Sequence, residues 1–245
     1  MTKQELANFI DQTLLSQEAT EEQVEKFCQQ AKEYGFASVC INPVFVSTAA
    51  KILSGSQTKV CTVIDFPLGA GGTESKMSQA DIAITNGADE LDFVIDLNLV
   101  KSKKWNELTQ QLSFLTKSVQ EASMFAEKDG LPRKGKVLTK LILETTLLND
   151  DEIIQSCICA KNARFDFVKT STGFSMKKPN GATIHAVELM RKTVGNEMGV
   201  KASGGIHSTQ EALDFISAGA NRIGASSGIQ IVDVYKTVRA ESMLA

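Results

Sequence analysis

The sequence predicts an α/β protein in which eight parallel strands close into a barrel with helices outside, as one domain over residues 1–245. Two observations indicate this fold. Apolar segments rich in β-branched residues recur eight times along the chain, and amphipathic helical segments separate them. Strands that are apolar throughout are typical of parallel sheets covered on both faces. Eight strand–helix units are what a (β/α)8 TIM barrel needs, and about 250 residues is its usual length.

The eight predicted strands have similar spacing along the chain. In order they are FIDQTLL around Asp11, SVCIN at 38–42, KVCTVIDF at 59–66, ELDFVID at 90–96, TKLILET at 139–145, FDFVKTST at 165–172, GVKASGG at 199–205 and NRIGASS at 221–227. An open doubly wound sheet is the alternative, but its glycine-rich turn should follow an early strand. Here the glycine-rich segments follow the seventh and eighth strands, where barrels bind phosphate.

Helical periodicity marks the segments between the strands. Apolar residues recur at helical spacing in two clear examples, which are Val24, Phe27, Cys28 and Ala31, and Leu108, Leu112, Leu115 and Val119. Gly35, Gly87 and Gly219 each follow such a segment, and we expect them to adopt the left-handed conformation that ends a helix.

Composition narrows the possible functions. The net charge is −3, which makes a nucleic-acid partner unexpected. His185 and His207 are the two histidines, so sites built from several histidines, such as zinc protease motifs, are nearly excluded. Acid–base chemistry would then fall on lysine, aspartate, glutamate or water.

The cysteines and the first residues predict a cytoplasmic protein without a membrane span. Five cysteines form no CxxC pair, which favours buried free thiols in a reducing compartment. The N-terminal residues show no apolar signal segment, and no run of 18 apolar residues occurs. No metal ion or cofactor is expected.

Two lysines interrupt neighbouring predicted strands. Lys169 lies in FDFVKTST and Lys201 in GVKASGG. A lysine buried in a parallel strand loses its proton more easily than one in water, and a second ammonium group nearby adds to this effect. A lysine activated in this way can form a Schiff base, whereas the alternative is a structural lysine paired with a buried carboxylate.

Carboxylates are expected beside these lysines. Asp92 and Asp96 share one face of their strand by its two-residue period, while Asp11, Asp65 and Glu144 lie near other strand ends. They either hold the lysines in place or relay protons through water. Position alone favours Asp96, because it lies nearer the carboxyl end of its strand.

Glycine-rich segments after the last two predicted strands indicate a phosphate site. These are GGI at 204–206 and GASSG at 224–228. Glycines let backbone N–H groups approach an anion, and Ser226 and Ser227 offer hydroxyl groups or cap a helix. Gly71 and Gly72 form a weaker signal of the same kind.

Taken together, the motifs IDQTLL, GADELD, VKTSTG, KASGG and RIGASSG resemble the deoxyribose-phosphate aldolase family, from Ile10 to Gly228. The resemblance implies a metal-free class I aldolase, and a homodimer or larger homo-oligomer. Such an enzyme reversibly cleaves 2-deoxy-D-ribose 5-phosphate to D-glyceraldehyde 3-phosphate and acetaldehyde in deoxyribonucleoside catabolism.

The resemblance also implies roles for residues at matching positions. Lys169 would form the Schiff base, Lys201 would perturb it and relay protons, and Asp92, rather than Asp96, would relay protons through water. The expected pocket residues are Asp11, Thr13, Cys40, Lys140 and Thr170. The expected phosphate-binding residues are Gly173, Gly204, Gly205, Gly224, Ser226 and Ser227.

Three features depart from the family pattern. The segment around 128–136 is longer than usual, and FSMKKPNGAT carries Lys177, Lys178 and Pro179 where small residues are common. The two lysines either assist phosphate binding or are simply solvated. His207 stands where an arginine is common, which bears on affinity rather than reaction type.

Two other functions remain open from the sequence. One is a different Schiff-base barrel, of the transaldolase or phospho-sugar aldolase type, which would share Lys169 but take another donor. The other is a phosphate-binding barrel without lysine chemistry. Trapping an acetaldehyde adduct on Lys169 would separate all three.

Overall fold

A computed structural model of the protein describes residues 1–128, 135–178 and 180–242, and the side chains of these except 128 and 236–242. Eight parallel strands, β1 to β8, form a closed barrel in which each pairs with the next and β8 pairs with β1. The predicted fold class is thereby confirmed. Their bounds are Ile10–Leu14, Ser38–Ile41, Lys59–Ile64, Glu90–Val94, Leu138–Ile142, Phe167–Lys169, Gly199–Ser203 and Arg222–Ala225.

Ten helices, α1 to α10, accompany these strands in the described part of the chain. Their bounds are Lys3–Ala7, Glu21–Tyr34, Val46–Ile52, Gly72–Thr85, Leu97–Lys101, Trp105–Lys128, Asp150–Asn162, Ile184–Val194, Thr209–Ser217 and Gly228–Ser242. Short 3₁₀ turns cover Pro43–Phe45 and Thr145–Leu147. Within the described residues, no helix is long and apolar enough to cross a lipid bilayer. Pro179 and most of the segment around 128–136 lie outside the described residues.

The helices bury the apolar faces that their periodicity predicts. In α2, Val24, Cys28 and Ala31 are buried against the strands, while Phe27 is partly buried. Among the described residues, capping boxes begin α1, α2, α7 and α9, and in α9 Ser208 and Glu211 satisfy each other's backbone N–H groups. Local signals and burial therefore agree on where these helices begin and which face packs inward.

The strand register determines which side chains meet inside the barrel. Asp92 on β4 is aligned with Lys140 on β5, and Lys169 on β6 is aligned with Lys201 on β7. Because side chains alternate between the two faces of a strand, Glu90 points to the same side as Asp92. Charged residues from separate strands thus converge on the barrel axis.

The three predicted helix-ending glycines all have positive φ angles. Gly35, Gly87 and Gly219 have φ of 65°, 103° and 108°. At Gly87 a side chain would also collide with its neighbour, because an added Cβ would lie 2.7 Å from the Cβ of Ala50. Backbone angle and close packing both require glycine at Gly87.

A pair of glycine substitutions separates these two effects. Gly55 has φ of +73° and no atom within 4 Å of an added Cβ, so Gly55→Ala carries backbone strain alone. We expect Gly55→Ala to lower the free energy of unfolding by about 1–2 kcal/mol. Gly87→Ala should cost about 1–3 kcal/mol more, because it adds a steric collision. Urea denaturation measures both, and equal losses would contradict the packing argument.

Candidate active site

Every strand of the barrel directs at least one titratable side chain into the interior. In strand order these are Asp11, Cys40, Cys61, Glu90 with Asp92, Lys140, Lys169, Lys201 and Arg222. Seven of them, referred to here as the charge cluster, are linked by ion pairs: Asp11, Glu90, Asp92, Lys140, Lys169, Lys201 and Arg222. Buried charges are stable only when paired, which explains why they occur together.

Asp92 lies at the centre of the charge cluster. Its Oδ1 accepts a hydrogen bond from Lys140 Nζ at 2.7 Å, and its Oδ2 accepts from Lys169 Nζ at 2.9 Å and Lys201 Nζ at 2.8 Å. The thiol of Cys61 also donates to Oδ1, at 3.2 Å. Burial alone would raise the pKa of Asp92, but the three lysines outweigh it and hold that pKa well below its usual value. Asp92 is therefore a carboxylate at physiological pH.

Lys201 is held as a cation. Its Nζ lies 2.7 Å from Asp11 Oδ2, in an ion pair without hydrogen-bond alignment, and it donates to Asp92. Burial opposes charge on this amine, but Asp11 and Asp92 outweigh burial and raise the pKa of Lys201. The sequence predicts repulsion between the Lys169 and Lys201 amines. In the structure, Asp92 Oδ2 lies within 2.9 Å of both amines and offsets this repulsion.

The lower layer of the cluster, toward the amino ends of the strands, contains two residues that sequence reasoning missed. Glu90 lies 2.6 Å from Lys140 Nζ and 2.7 Å from Arg222 Nη2. Arg222 also donates to Asp11, and its guanidinium group lies 5.8 Å from the ring centre of Phe167. The signal for Glu90 is its two-residue spacing from Asp92, whereas Arg222 is recognisable only once β8 closes the barrel against β1.

A cavity of about 210 Å³, referred to here as the upper cavity, opens at the carboxyl ends of β1, β6, β7 and β8. Lys169 is the one cluster lysine that lines it. Its other lining residues are Thr13, Leu15, Ser16, Thr172, Phe174, Ser203, Gly204, Gly205, Ile206, His207, Gly224, Ala225 and Ser226. Lys169 is therefore the lysine through which the charge cluster contacts the upper cavity.

A larger cavity of about 670 Å³ lies at the opposite end of the barrel. Its lining includes Lys51, Ser54, Lys59 and Asn86, near the amino end of β3 and the carboxyl end of α4. No member of the charge cluster contributes to it. The smaller upper cavity is the candidate site, because it adjoins the charge cluster through Lys169.

The predicted pocket residues fall into two groups. Thr13 lines the upper cavity, whereas Asp11, Cys40 and Lys140 are fully buried among the interior groups. Thr170 is also fully buried, and its hydroxyl accepts from Ser203 N–H at 3.1 Å and lies 3.2 Å from the carbonyl oxygen of Ser203. Thr170 therefore joins β6 to β7 beneath the cavity floor.

The predicted phosphate residues surround one side of the upper cavity. Gly204, Gly205, Gly224 and Ser226 line it, and Gly173 and Ser227 lie beside the lining residues in the chain or fold. Gly204 and Gly205 both have positive φ, 86° and 76°, and an added Cβ on Gly204 would lie 2.9 Å from Gly181 Cα. Glycine at 204 is therefore required by the close approach of the β6–α8 loop.

Close packing also requires glycine at position 224. An added Cβ there would lie 3.1 Å from Lys201 Cε and 2.8 Å from Ser203 Cβ. The absence of a side chain at 224 gives the stem of Lys201 room to reach Asp92.

The remaining predicted carboxylates lie away from the cluster. Asp96 caps α5, accepting from Asn98 N–H at 2.9 Å, so the position-based expectation for Asp96 is wrong because its strand ends at Val94. Asp65 lies 3.6 Å from the buried Lys76. Glu144 accepts from the N–H and the hydroxyl of Thr172.

The residues that depart from the family pattern occupy different places. His207 lines the upper cavity, whereas Lys177 and Lys178 line a separate cavity of about 220 Å³ with Thr183 and His185. Both lysines are exposed. His185 lies on the surface of α8, with Nε2 2.9 Å from Asp150.

All five cysteines are free and buried, as predicted. In the described residues, Cys40, Cys61 and Asp92 form the one group whose donor atoms lie close enough for a metal ion, within 4.8 Å of one another. The geometry does not fit a cation, because Asp92 already binds three lysines and Lys140 Nζ lies 3.3 Å from Cys61 Sγ. Burial raises the pKa of the Cys61 thiol, while the neighbouring Cys61 side chain and the charge of Lys201 lower the pKa of Cys40.

Comparison with known proteins identifies the family of this chain. Residues 6–233 match the model of the DeoC/LacD family of aldolases. The chain belongs to that family. Curated relatives named deoxyribose-phosphate aldolase include one from Streptococcus gordonii, 51% identical over 93% of this chain and 95% of the relative. Another, from Clostridium tetani, is 48% identical over 95% of this chain and all of the relative.

Solved structures of aldolases share the fold of this family member. A tetrameric deoxyribose phosphate aldolase from Aeropyrum pernix is 33% identical, with a TM-score of 0.82 over 97% of this chain and 93% of that one. A structure described as "QR15, an Aldolase" is 34% identical, with a TM-score of 0.83 over 98% of this chain and 99% of that one. The chain is therefore an aldolase with a closed (β/α)8 barrel.

Asp92 and Asp96 provide a matched pair for testing the site. Asp92→Asn removes the carboxylate shared by three lysines, and we expect kcat to fall by about 10²–10⁴-fold. Asp96→Asn keeps a good helix cap outside the cluster, so kcat should stay within about twofold of wild type. Steady-state aldol cleavage measures both, with circular dichroism to confirm folding. Equal losses in the two variants would contradict the assignment of Asp92.

Proposed function

We propose that this aldolase reversibly cleaves 2-deoxy-D-ribose 5-phosphate to D-glyceraldehyde 3-phosphate and acetaldehyde through a Schiff base on Lys169. The observation that carries the proposal is that Lys169 alone among the three buried cluster lysines lines the upper cavity. The substrate follows from the curated relatives, which carry that activity in their names. The same activity would serve the breakdown of deoxyribonucleosides in the cytoplasm.

Imine chemistry begins with the uncharged amine of Lys169. In the synthetic direction its Nζ attacks the acetaldehyde carbonyl carbon, and the resulting carbinolamine loses water to give an imine. A methyl proton then passes to the proton relay, giving an enamine whose carbon attacks the aldehyde carbon of glyceraldehyde 3-phosphate, and the aldehyde oxygen takes up a proton. Water hydrolyses the final imine and restores the amine. The imine nitrogen accepts the electron pair of the broken carbon–hydrogen bond and returns it as the carbon–carbon bond forms, so a lysine can do this work directly.

Asp92 and Lys201 are suited to move the protons of these steps. Asp92 Oδ2 accepts from both lysine amines, so it can take a proton from one and remain close to the other. Its depressed pKa keeps it ionised between transfers, and the raised pKa of Lys201 keeps that amine charged beside the developing imine. Water entering from the upper cavity would complete the relay, as the family resemblance implies.

The lining of the upper cavity combines polar and apolar groups, which suits the proposed substrate. Gly204, Gly205 and Ser226 offer backbone and hydroxyl groups, whereas Leu15 and Phe174 are apolar. Backbone N–H groups at glycine-rich turns are suited to bind phosphate, and binding there orients the reacting carbons at Lys169. Gly173, Gly224 and Ser227 are proposed to shape the same phosphate site.

Two further expectations accompany this proposal. Asp11 and Lys140 hold the lysines and Asp92 in register, and Cys40, Thr13 and Thr170 shape the floor around Lys169. The Aeropyrum pernix relative is tetrameric, which supports the expectation that this chain also self-associates.

Borohydride trapping tests the nucleophile and the donor together. Sodium borohydride with acetaldehyde should add about 28 Da, an ethyl group, to Lys169 by reducing the imine. Peptide mass spectrometry locates the adduct, and Lys169→Leu should form none and lose aldol cleavage. Trapping by a different carbonyl donor, but not by acetaldehyde, would favour another Schiff-base aldolase. Unchanged cleavage by Lys169→Leu would contradict a Schiff-base role for this lysine.

Neighbouring serines test the phosphate side. Ser226 lines the upper cavity and Ser227 does not. We expect Ser226→Ala to raise KM for 2-deoxyribose 5-phosphate about tenfold with kcat unchanged, because one hydrogen bond to a charged phosphate is lost. KM for unphosphorylated 2-deoxyribose should not change. Ser227→Ala should raise KM less, because Ser227 shapes the site without lining the cavity. An equal rise in the two variants would contradict the larger role proposed for Ser226.

A further inference from the structure

Glu90 and Arg222 belong to the charge cluster but lie away from the upper cavity. Glu90 lies 2.6 Å from Lys140 and 2.7 Å from Arg222, and Arg222 also pairs with Asp11. Neither residue lines the upper cavity. Both therefore reach Lys169 only through the other charges, and the proposed mechanism does not use them.

The cluster contains four basic side chains and three carboxylates. With every group ionised, it carries one excess positive charge in a buried region, where uncompensated charge is costly. The charges become equal in number when one basic side chain is neutral. Arginine does not lose its proton in proteins, so the neutral group must be a lysine.

Contacts distinguish the three lysines. Lys140 has two carboxylates within 2.7 Å, and Lys201 has two within 2.8 Å. Lys169 has one carboxylate, at 2.9 Å, and it alone lines the upper cavity. Lys169 is therefore the lysine of the cluster with the fewest carboxylate partners.

We propose that Glu90 and Arg222 are positioning residues whose opposite charges set the proton occupancy of Lys169 through the total charge of the cluster. This inference rests on the proposed Schiff-base function of Lys169. Loss of the Arg222 charge would leave the cluster neutral with Lys169 protonated, so a higher pH would be needed to free its amine. Loss of the Glu90 charge would increase the positive excess and free the amine at a lower pH.

Three further ionisable groups, none of them in the cluster, belong to β2, β3 and the residues after β5. Cys40 on β2 and Cys61 on β3 are buried thiols, and Glu144, which follows β5, accepts hydrogen bonds from Thr172. Cys40 is the alternative compensating group, because a thiolate there would also cancel the excess charge. Lys76 is a buried cation outside the cluster, bound to Asp65 and to the carbonyl oxygen of Gly69.

The test compares the pH dependence of imine formation in four proteins: wild type, Glu90→Gln, Arg222→Gln and the double variant. Each is mixed with acetaldehyde across a pH series, then reduced by a borohydride quench at one fixed pH, and the adduct is counted by intact mass. We expect the midpoint of the profile to fall by about one pH unit in Glu90→Gln and rise by about one in Arg222→Gln. The double variant restores the total charge and should return close to the wild-type midpoint.

Two controls make the result specific. Lys76→Met removes a buried cation outside the cluster and should leave the midpoint unchanged, whereas a rise equal to that of Arg222→Gln would overturn the proposal. Cys40→Ser should also leave the midpoint unchanged, and a fall would assign the compensating charge to Cys40 instead.

The outcomes separate this inference from the proposed function. If wild type forms no adduct on Lys169, the Schiff-base function fails. If adducts form but the Glu90 and Arg222 variants shift in the same direction, or not at all, the charge-sum inference alone fails. Glu90→Gln changes no side-chain volume, so its downward shift decides the matter if Arg222→Gln does not fold.

Discussion

The shared carboxylate of Asp92 is the interaction on which the rest of this site depends. Three lysine amines from three strands lie within 2.9 Å of its two oxygens. Without that carboxylate, three ammonium groups would be buried close together, which no apolar interior can stabilise. Asp92 therefore allows a barrel of this size to have lysines at its centre, and it fixes the distance between Lys169 and Lys201.

The cluster also divides the barrel interior by function. Its lower layer, with Glu90 and Arg222, is closed to the upper cavity, while Lys169 at the top lines it. On the other side, Leu15, Cys40, Cys61 and Val63 form a small apolar cluster on and beside the first three strands. The amine of Lys169 thus lies above a buried charge network, in a cavity lined by apolar residues and by a glycine-rich rim. Under the proposed function, phosphate bound at that rim would orient the substrate without contacting the charges beneath it.

Much of this organisation could be predicted from the sequence, but not all of it. The eight strands, the helix faces, the free cysteines and the glycines with positive φ follow from local patterns, since apolar periodicity and glycine placement act over a few residues. The local pattern did not decide between Asp92 and Asp96, because both share one strand parity; only the family resemblance favoured Asp92. Asp96 lies two residues beyond the end of its strand and caps a helix instead. The strand end is determined by pairing with neighbours, which the local pattern does not contain.

The sequence by itself determined the barrel, the two neighbouring lysines and the glycine-rich segments at the last two strands. Only the tertiary structure decided which charges meet. Glu90 and Arg222 are 132 positions apart in the sequence. They pair because β8 closes the barrel against β1, so that the Arg222 side chain reaches across the barrel interior to Glu90 on β4. Likewise, Lys169 and Lys201 occupy equivalent positions in their strands, so the sequence predicts similar surroundings for both. In the structure, however, Lys201 contacts two carboxylates and Lys169 contacts one. Long-range packing produces this difference, because burial and charge partners depend on the closed barrel as a whole.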